Sequence, residues 1–111
     1  MSIIEISVEE LEAALASGVR LIDVRETDEY EAGHVAGAIH IALGTVPDNV
    51  AAFQPASEGD GPTYVICKSG GRSMRACEFL AQQGVEAINV AGGTMEWIVS
   101  GRTVVAGSQP L

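Results

Sequence analysis

Basic residues, cysteines and long apolar runs are all scarce in this chain, and each scarcity narrows what it can be. Six lysines and arginines stand against fifteen aspartates and glutamates, a net charge of −9. A protein that neutralises phosphates needs the opposite balance, so nucleic acid is not expected as a partner. An anionic membrane surface is disfavoured on the same ground. No apolar run approaches the roughly 20 residues of a spanning helix. The opening MSIIEISVEE has no cationic segment and turns acidic at once, so no signal peptide is expected. Only two cysteines occur, Cys67 and Cys77. One falls on a loop and one on the helix after it, which makes a poor structural staple; a reducing, cytoplasmic setting fits best. They form no Cys-x-x-Cys pair, which argues against a thiol–disulfide oxidoreductase.

What is present is the material of one globular domain, expected to fill residues 1–111 with a mobile tail over 106–111. Hydrophobic residues make up 47% and charged ones 19%, with no internal repeat. Ile3 to Ile6 reads as a short strand, and Ser7 with Glu10 as a capping box opening a helix over Val8–Ala16. Arg20–Arg25 is a nearly all-apolar strand ending in charge, as expected of a parallel strand buried on both faces. The acidic stretch Glu26–Glu31 is expected to form a solvated turn or short helix, and Ile39–Ile41 a third strand. A short helix is expected over Pro47–Phe53, then strands at Thr63–Ile66 and Ala87–Val90 around a helix closed by Gly84. Gly92-Gly93 opens a last helix, Thr94–Ser100, before an extended piece at Thr103–Val105. Five short apolar strands separated by helices imply an α/β fold: an open, mainly parallel five-stranded sheet with helices on both faces. Ligands in that architecture bind beyond the carboxyl ends of the strands.

One stretch concentrates chemistry there. The run Thr63-Tyr64-Val65-Ile66 delivers Cys67, followed by the loop Lys68-Ser69-Gly70-Gly71-Arg72 and by Ser73, read as the N-cap of a helix over Met74–Gln83. Glycines let successive N–H groups turn inward, and a helix N-terminus adds positive potential at the same point. A lone cysteine at a strand end is commonly a small buried hydrophobe. Here, however, three of the six basic residues, Lys68, Arg72 and Arg75, fall within eight positions. Such an electropositive niche favours a thiolate nucleophile in an anion-binding loop.

Three segments together resemble the rhodanese family of sulfurtransferases: LIDVRETDEYEAGHVAGAIHI over 21–41, CKSGGRS over 67–73 and GGTMEWIVSG over 92–101. The resemblance implies a single-domain, three-layer rhodanese-like fold and a ping-pong reaction needing no cofactor or metal. Cys67 would take a sulfane sulfur from thiosulfate or a persulfide, and pass it from a Cys67 persulfide to a thiol, a sulfur-accepting protein or cyanide. The segment Lys68, Ser69, Gly70, Gly71, Arg72 and Ser73 would bind the small anionic donor, Arg72 holding it and Lys68 assisting from the rim. Asp23 and Arg25 would support the site structurally, fixing the loop by hydrogen bonds.

Other residues read more plainly. His34 and His40, six apart and without cysteine or carboxylate at ligand spacing, make no convincing metal site and are expected to be structural. Cys77 shares a helix face with Met74, Leu80 and Ala81 and, like Trp97, belongs in the core. A phosphatase or arsenate reductase of the same fold resembles Cys, five residues, Arg, whereas only four residues separate Cys67 from Arg72. A non-enzymatic persulfide carrier would share every residue named above.

Overall fold

A computed structural model describes residues 2–55, 57 and 59–111. The chain runs through β1 (Glu5–Ile6), α1 (Val8–Ala16), β2 (Leu21–Asp23), α2 (Thr27–Ala32) and β3 (Ile39–His40). Two 3₁₀ stretches follow, Leu43–Asp48 and Val50–Phe53, then β4 (Thr63–Ile66), α3 (Gly71–Gln82), β5 (Ala87–Val90) and α4 (Gly93–Val99). The strands form one sheet in the order β1-β5-β4-β2-β3, every pairing parallel. β4, which leads to Cys67, is therefore the central strand. Its two neighbours bring Asp23 and the Gly92-Gly93 turn to the same end of the sheet.

Side chains along a strand alternate between faces, and each face of the sheet has its own core. On one, Val65 and Cys67 pack with Ala76, Cys77 and Leu80 of α3 and with Phe53. On the other, Ile66 and Val90 meet Val8 and Leu11 of α1, Tyr30 of α2 and Trp97 of α4. Buried aliphatics of this kind contribute roughly 1.5–3 kcal/mol each, and their distribution makes the three layers. The edge strands β1 and β3 are only two residues long, which limits the open edge offered to another chain.

Local rules explain most element ends. At α1 the Glu10 N–H donates to Ser7 Oγ at 3.1 Å and the Ser7 N–H to Glu10 Oε1 at 2.9 Å, the expected capping box. The acidic stretch does coil, as α2, and its own box pairs the Glu26 N–H with Glu29 Oε1 at 3.0 Å. The expected helix over Pro47–Phe53 is instead two 3₁₀ pieces split at Asn49, with Pro47 inside the first. Of the expected extended piece Thr103–Val105, Val105 forms an antiparallel bridge with His34. The tail bonds to the body, the Gly107 N–H donating to the Glu31 carbonyl and the Gly37 N–H to the Pro110 carbonyl. Met1, Ala56 and Glu58 lie outside the described residues.

Candidate active site

Cys67 directly follows β4, and the chain then curls around its sulfur. Gly70 makes the turn with φ +106°, a conformation that favours glycine, and its N–H donates to Cys67 Sγ at 3.1 Å. Because Gly70 itself occupies the position before the helix, α3 starts at Gly71, earlier than its sequence suggests. Ser73 is thus not the N-cap. It stands inside the first turn, fully buried, with its hydroxyl 3.2 Å from Cys67 Sγ and 3.3 Å from the Gly70 carbonyl.

Cys67 is 1% exposed, and burial alone pushes its thiol pKa up. The Ser73 hydroxyl and the backbone N–H groups of Ser73, Gly70 and Ser69 act the other way, and together they bring it below its ordinary value. The flanking cations, expected to help, are not among the leading causes. Lys68 and Arg75 point into solvent, and the Arg72 guanidinium is already engaged. The polarisation of this sulfur comes from aligned donors.

The loop is clamped from beyond. The first turn of α4 donates the Thr94 N–H to the Cys67 carbonyl at 2.8 Å and the Met95 N–H to the Lys68 carbonyl at 2.9 Å. Buried Thr94 adds its hydroxyl to the Cys67 carbonyl at 3.1 Å. So close an approach requires Gly93: at its φ of +62°, a Cβ would lie 2.5 Å from the Lys68 carbonyl oxygen and 2.6 Å from that of Cys67. Buried Asn89 on β5 donates Nδ2–H to the Gly70 carbonyl at 3.2 Å and to Glu5 at 2.8 Å. Asn89, Gly93, Thr94 and Met95 thus hold the loop without a hydrogen bond to the sulfur. In the sequence, only the Gly92-Gly93 pair signals this clamp.

Asp23 and Arg25 do not bond to the loop, contrary to expectation. They form a buried ion pair at 2.8 Å, and Arg25 donates to the Gly33 carbonyl at the end of α2, also at 2.8 Å. Their side chains thus tie the end of β2 to α2. That helix carries Glu29, expected to be a solvated acid, whose two carboxylate oxygens take Nη1–H and Nη2–H of Arg72 at 2.7 and 2.9 Å. The Arg72 hydrogen bond holds the Glu29 pKa down to about 2 against some desolvation.

The remaining candidates are structural in place. His34 is buried, stacked on Tyr30 at 3.7 Å with Nδ1 2.8 Å from the Tyr30 carbonyl, and His40 Nε2 meets the Arg25 carbonyl at 2.7 Å. Cys77 is fully buried, and desolvation pushes its pKa up to about 12. Trp97 packs in the core with Nε1–H bonded to the Thr103 carbonyl. A cavity of about 690 Å³ lined by Gln54, Pro62 and Glu86 lies at the other end of the sheet, where β4 and β5 begin.

Comparison with known proteins gives a consistent result. Residues 7–100 match the family described as Rhodanese-like domain. YtwF of Bacillus subtilis, provisionally named a sulfurtransferase, is 42% identical over 69% of this chain and 71% of its own. YrkF of the same organism, provisionally named a sulfur carrier protein, is 37% identical over 86% of this chain and 51% of its own length. The thiosulfate sulfurtransferase GlpE of Pseudomonas entomophila is 34% identical over 83% of this chain and 82% of its own. A rhodanese-like domain protein from Staphylococcus aureus superposes with a TM-score of 0.80 at 30% identity, covering 96% of this chain and 100% of that one.

Proposed function

Since the chain belongs to the rhodanese-like domain family of sulfurtransferases and sulfur carriers, we propose that it moves sulfane sulfur from thiosulfate or a persulfide to a thiol through a persulfide on Cys67. One observation carries the reading: Cys67 Sγ accepts from the Gly70 N–H at 3.1 Å and lies 3.2 Å from the Ser73 hydroxyl, with its pKa held down by these donors. The thiolate attacks the outer sulfur of thiosulfate. The donor S–S bond breaks, its electron pair leaves with sulfite, and Cys67 keeps the transferred sulfur as a persulfide anion. An acceptor thiolate or cyanide then attacks that terminal sulfur, and the Cys67 thiolate returns. Total charge is conserved in both steps and no redox partner is needed.

The donors of the loop from Lys68 to Ser73 serve the same charge before and after transfer, because it moves by only one S–S bond length. With Cys67 1% exposed, a donor reaches it through a single outer sulfur. A phosphoryl group needs room for several oxygens and an in-line leaving group, and four residues before Arg72 leave little. The test is to incubate the protein with thiosulfate, or with cysteine persulfide, and weigh it intact. One added sulfur, removed by cyanide, is expected, together with no enzyme-like hydrolysis of aryl phosphates. Hydrolysis through Cys67 with no sulfur uptake would overturn the reading. Uptake without repeated turnover to any acceptor would identify a carrier.

A further inference from the structure

Arg72 is the cation that the loop places nearest the start of α3, and it is not free to act as a bare charge. Glu29 grips both of its terminal nitrogens, at 2.7 and 2.9 Å, while Lys68 and Arg75 have no carboxylate within ion-pair distance among the described residues. Glu29 is well anchored for this. Its Oε1 also accepts the Glu26 N–H at 3.0 Å, and α2 is tied down at its far end by the Arg25 bond to the Gly33 carbonyl and by the Gly107 N–H bond to the Glu31 carbonyl. The pair is only partly shielded, with side chains 33% and 29% exposed. Arg72 stands in the chain between Gly70 and Ser73, both of which donate to Cys67 Sγ, and its pKa is raised first by the Glu29 hydrogen bond and further by a Cys67 thiolate.

We infer that Glu29 is a positioning residue that sets donor specificity: by neutralising Arg72 at the mouth of the loop, it disfavours doubly charged sulfur donors relative to singly charged ones. The inference rests on the sulfurtransferase reading and names the charge class of its donor. A bare guanidinium attracts a dianion with twice the energy it offers a monoanion, and a carboxylate clamped on it cancels most of both. What remains are the loop N–H groups and the N-terminus of α3, which recognise the one sulfur bonded to Cys67 and discriminate weakly by charge. A merely structural link between α2 and α3 would leave donor preference untouched.

Thiosulfate, a dianion, and methanethiosulfonate, a monoanion, deliver the same kind of sulfane sulfur, so the pair isolates charge. Rates of persulfide formation on Cys67 should be compared for the native protein, Glu29→Gln and Asp28→Asn, the last removing an acid of the same helix that has no ion-pair partner among the described residues. Glu29→Gln should raise kcat/KM about threefold for methanethiosulfonate and about tenfold for thiosulfate, the second factor near the square of the first, with both gains shrinking as salt is added. Asp28→Asn should leave the ratio of the two donors where it was. The double variant Glu29→Gln, Arg72→Gln carries the same disturbance of α2 without a freed cation, so its ratio of the two donors should return toward the native value. Equal changes with both donors, an unchanged ratio, or a loss of rate with both would overturn the inference. Alkylation of Cys67 by iodoacetate against neutral iodoacetamide probes the same potential without any turnover. If that ratio rises in Glu29→Gln while no donor forms a persulfide, the sulfurtransferase reading has failed and the charge effect of Glu29 stands.

Discussion

Cys67 and Cys77 are ten positions apart, share one hydrophobic cluster and expose 1% and 0% of their surface, yet their thiols are pushed in opposite directions. Burial raises both. Around Cys77, in the second turn of α3, the helix spends its N–H groups on its own carbonyls, and nothing offsets desolvation; nearby acids, Glu5 first, add to the rise. Around Cys67 the chain has left β4 and not yet entered the body of α3, so N–H groups and the Ser73 hydroxyl are available to the sulfur. Exposure is thus a poor guide to reactivity within this molecule. What separates the two thiols is whether the backbone nearby has donors left to give.

The largest break in the comparison is removal of either sulfur. Cys67→Ser should abolish persulfide formation, a loss of at least about a thousandfold, while Cys77→Ser keeps most of it; intact mass after thiosulfate treatment reads both. Next is Gly93→Ala, which forces a Cβ against two loop carbonyls at a φ unsuited to alanine. It should lower stability by about 2–4 kcal/mol, seen in urea denaturation. It should also bring the alkylation behaviour of Cys67 closer to that of an unassisted buried thiol, because the loop N–H groups no longer converge. Ser73→Ala is milder. It removes one donor, so persulfide formation at neutral pH should fall about three- to tenfold, and the pH midpoint of Cys67 alkylation should move up.

A further contrast between the two ends of the pH scale appears in stability. The Cys77 pKa is raised in the folded state from an ordinary 9.0 to about 12, so ionisation favours unfolding as pH climbs through that interval. The Glu29 pKa is lowered from 4.5 to about 2, so its contribution is complete above about 4.5 and is lost as pH falls toward 2. For so exposed a pair that contribution is about 1 kcal/mol or less. Denaturation midpoints in Cys77→Ala above pH 9, and in Glu29→Gln below pH 4.5, should be flatter against pH than those of the native protein.

Much of this was legible in residue order. The alternation of apolar runs with capped helical segments specified a parallel α/β sheet, and strand, cysteine, glycines and helix in direct succession located the candidate nucleophile. Ser73, a good N-cap by type, places the expected helix start too late, and only the left-handed turn at Gly70 shows that the cap position is already taken. Glu29 read as one more acid in an acidic run. Its partner lies 43 positions away, and no local pattern announces such a pair.

Residue order is enough for the contiguous features, since strands, caps and the Cys67 loop depend on neighbours within a few residues along the chain. Folding chooses which distant groups meet at that loop: Gly93, Thr94 and Met95 clamping its carbonyls, Asn89 bracing Gly70, and Glu29 taking the guanidinium of Arg72. These contacts arise where the carboxyl ends of β2, β4 and β5 come side by side, and strand order in a sheet is fixed by burying both faces at once.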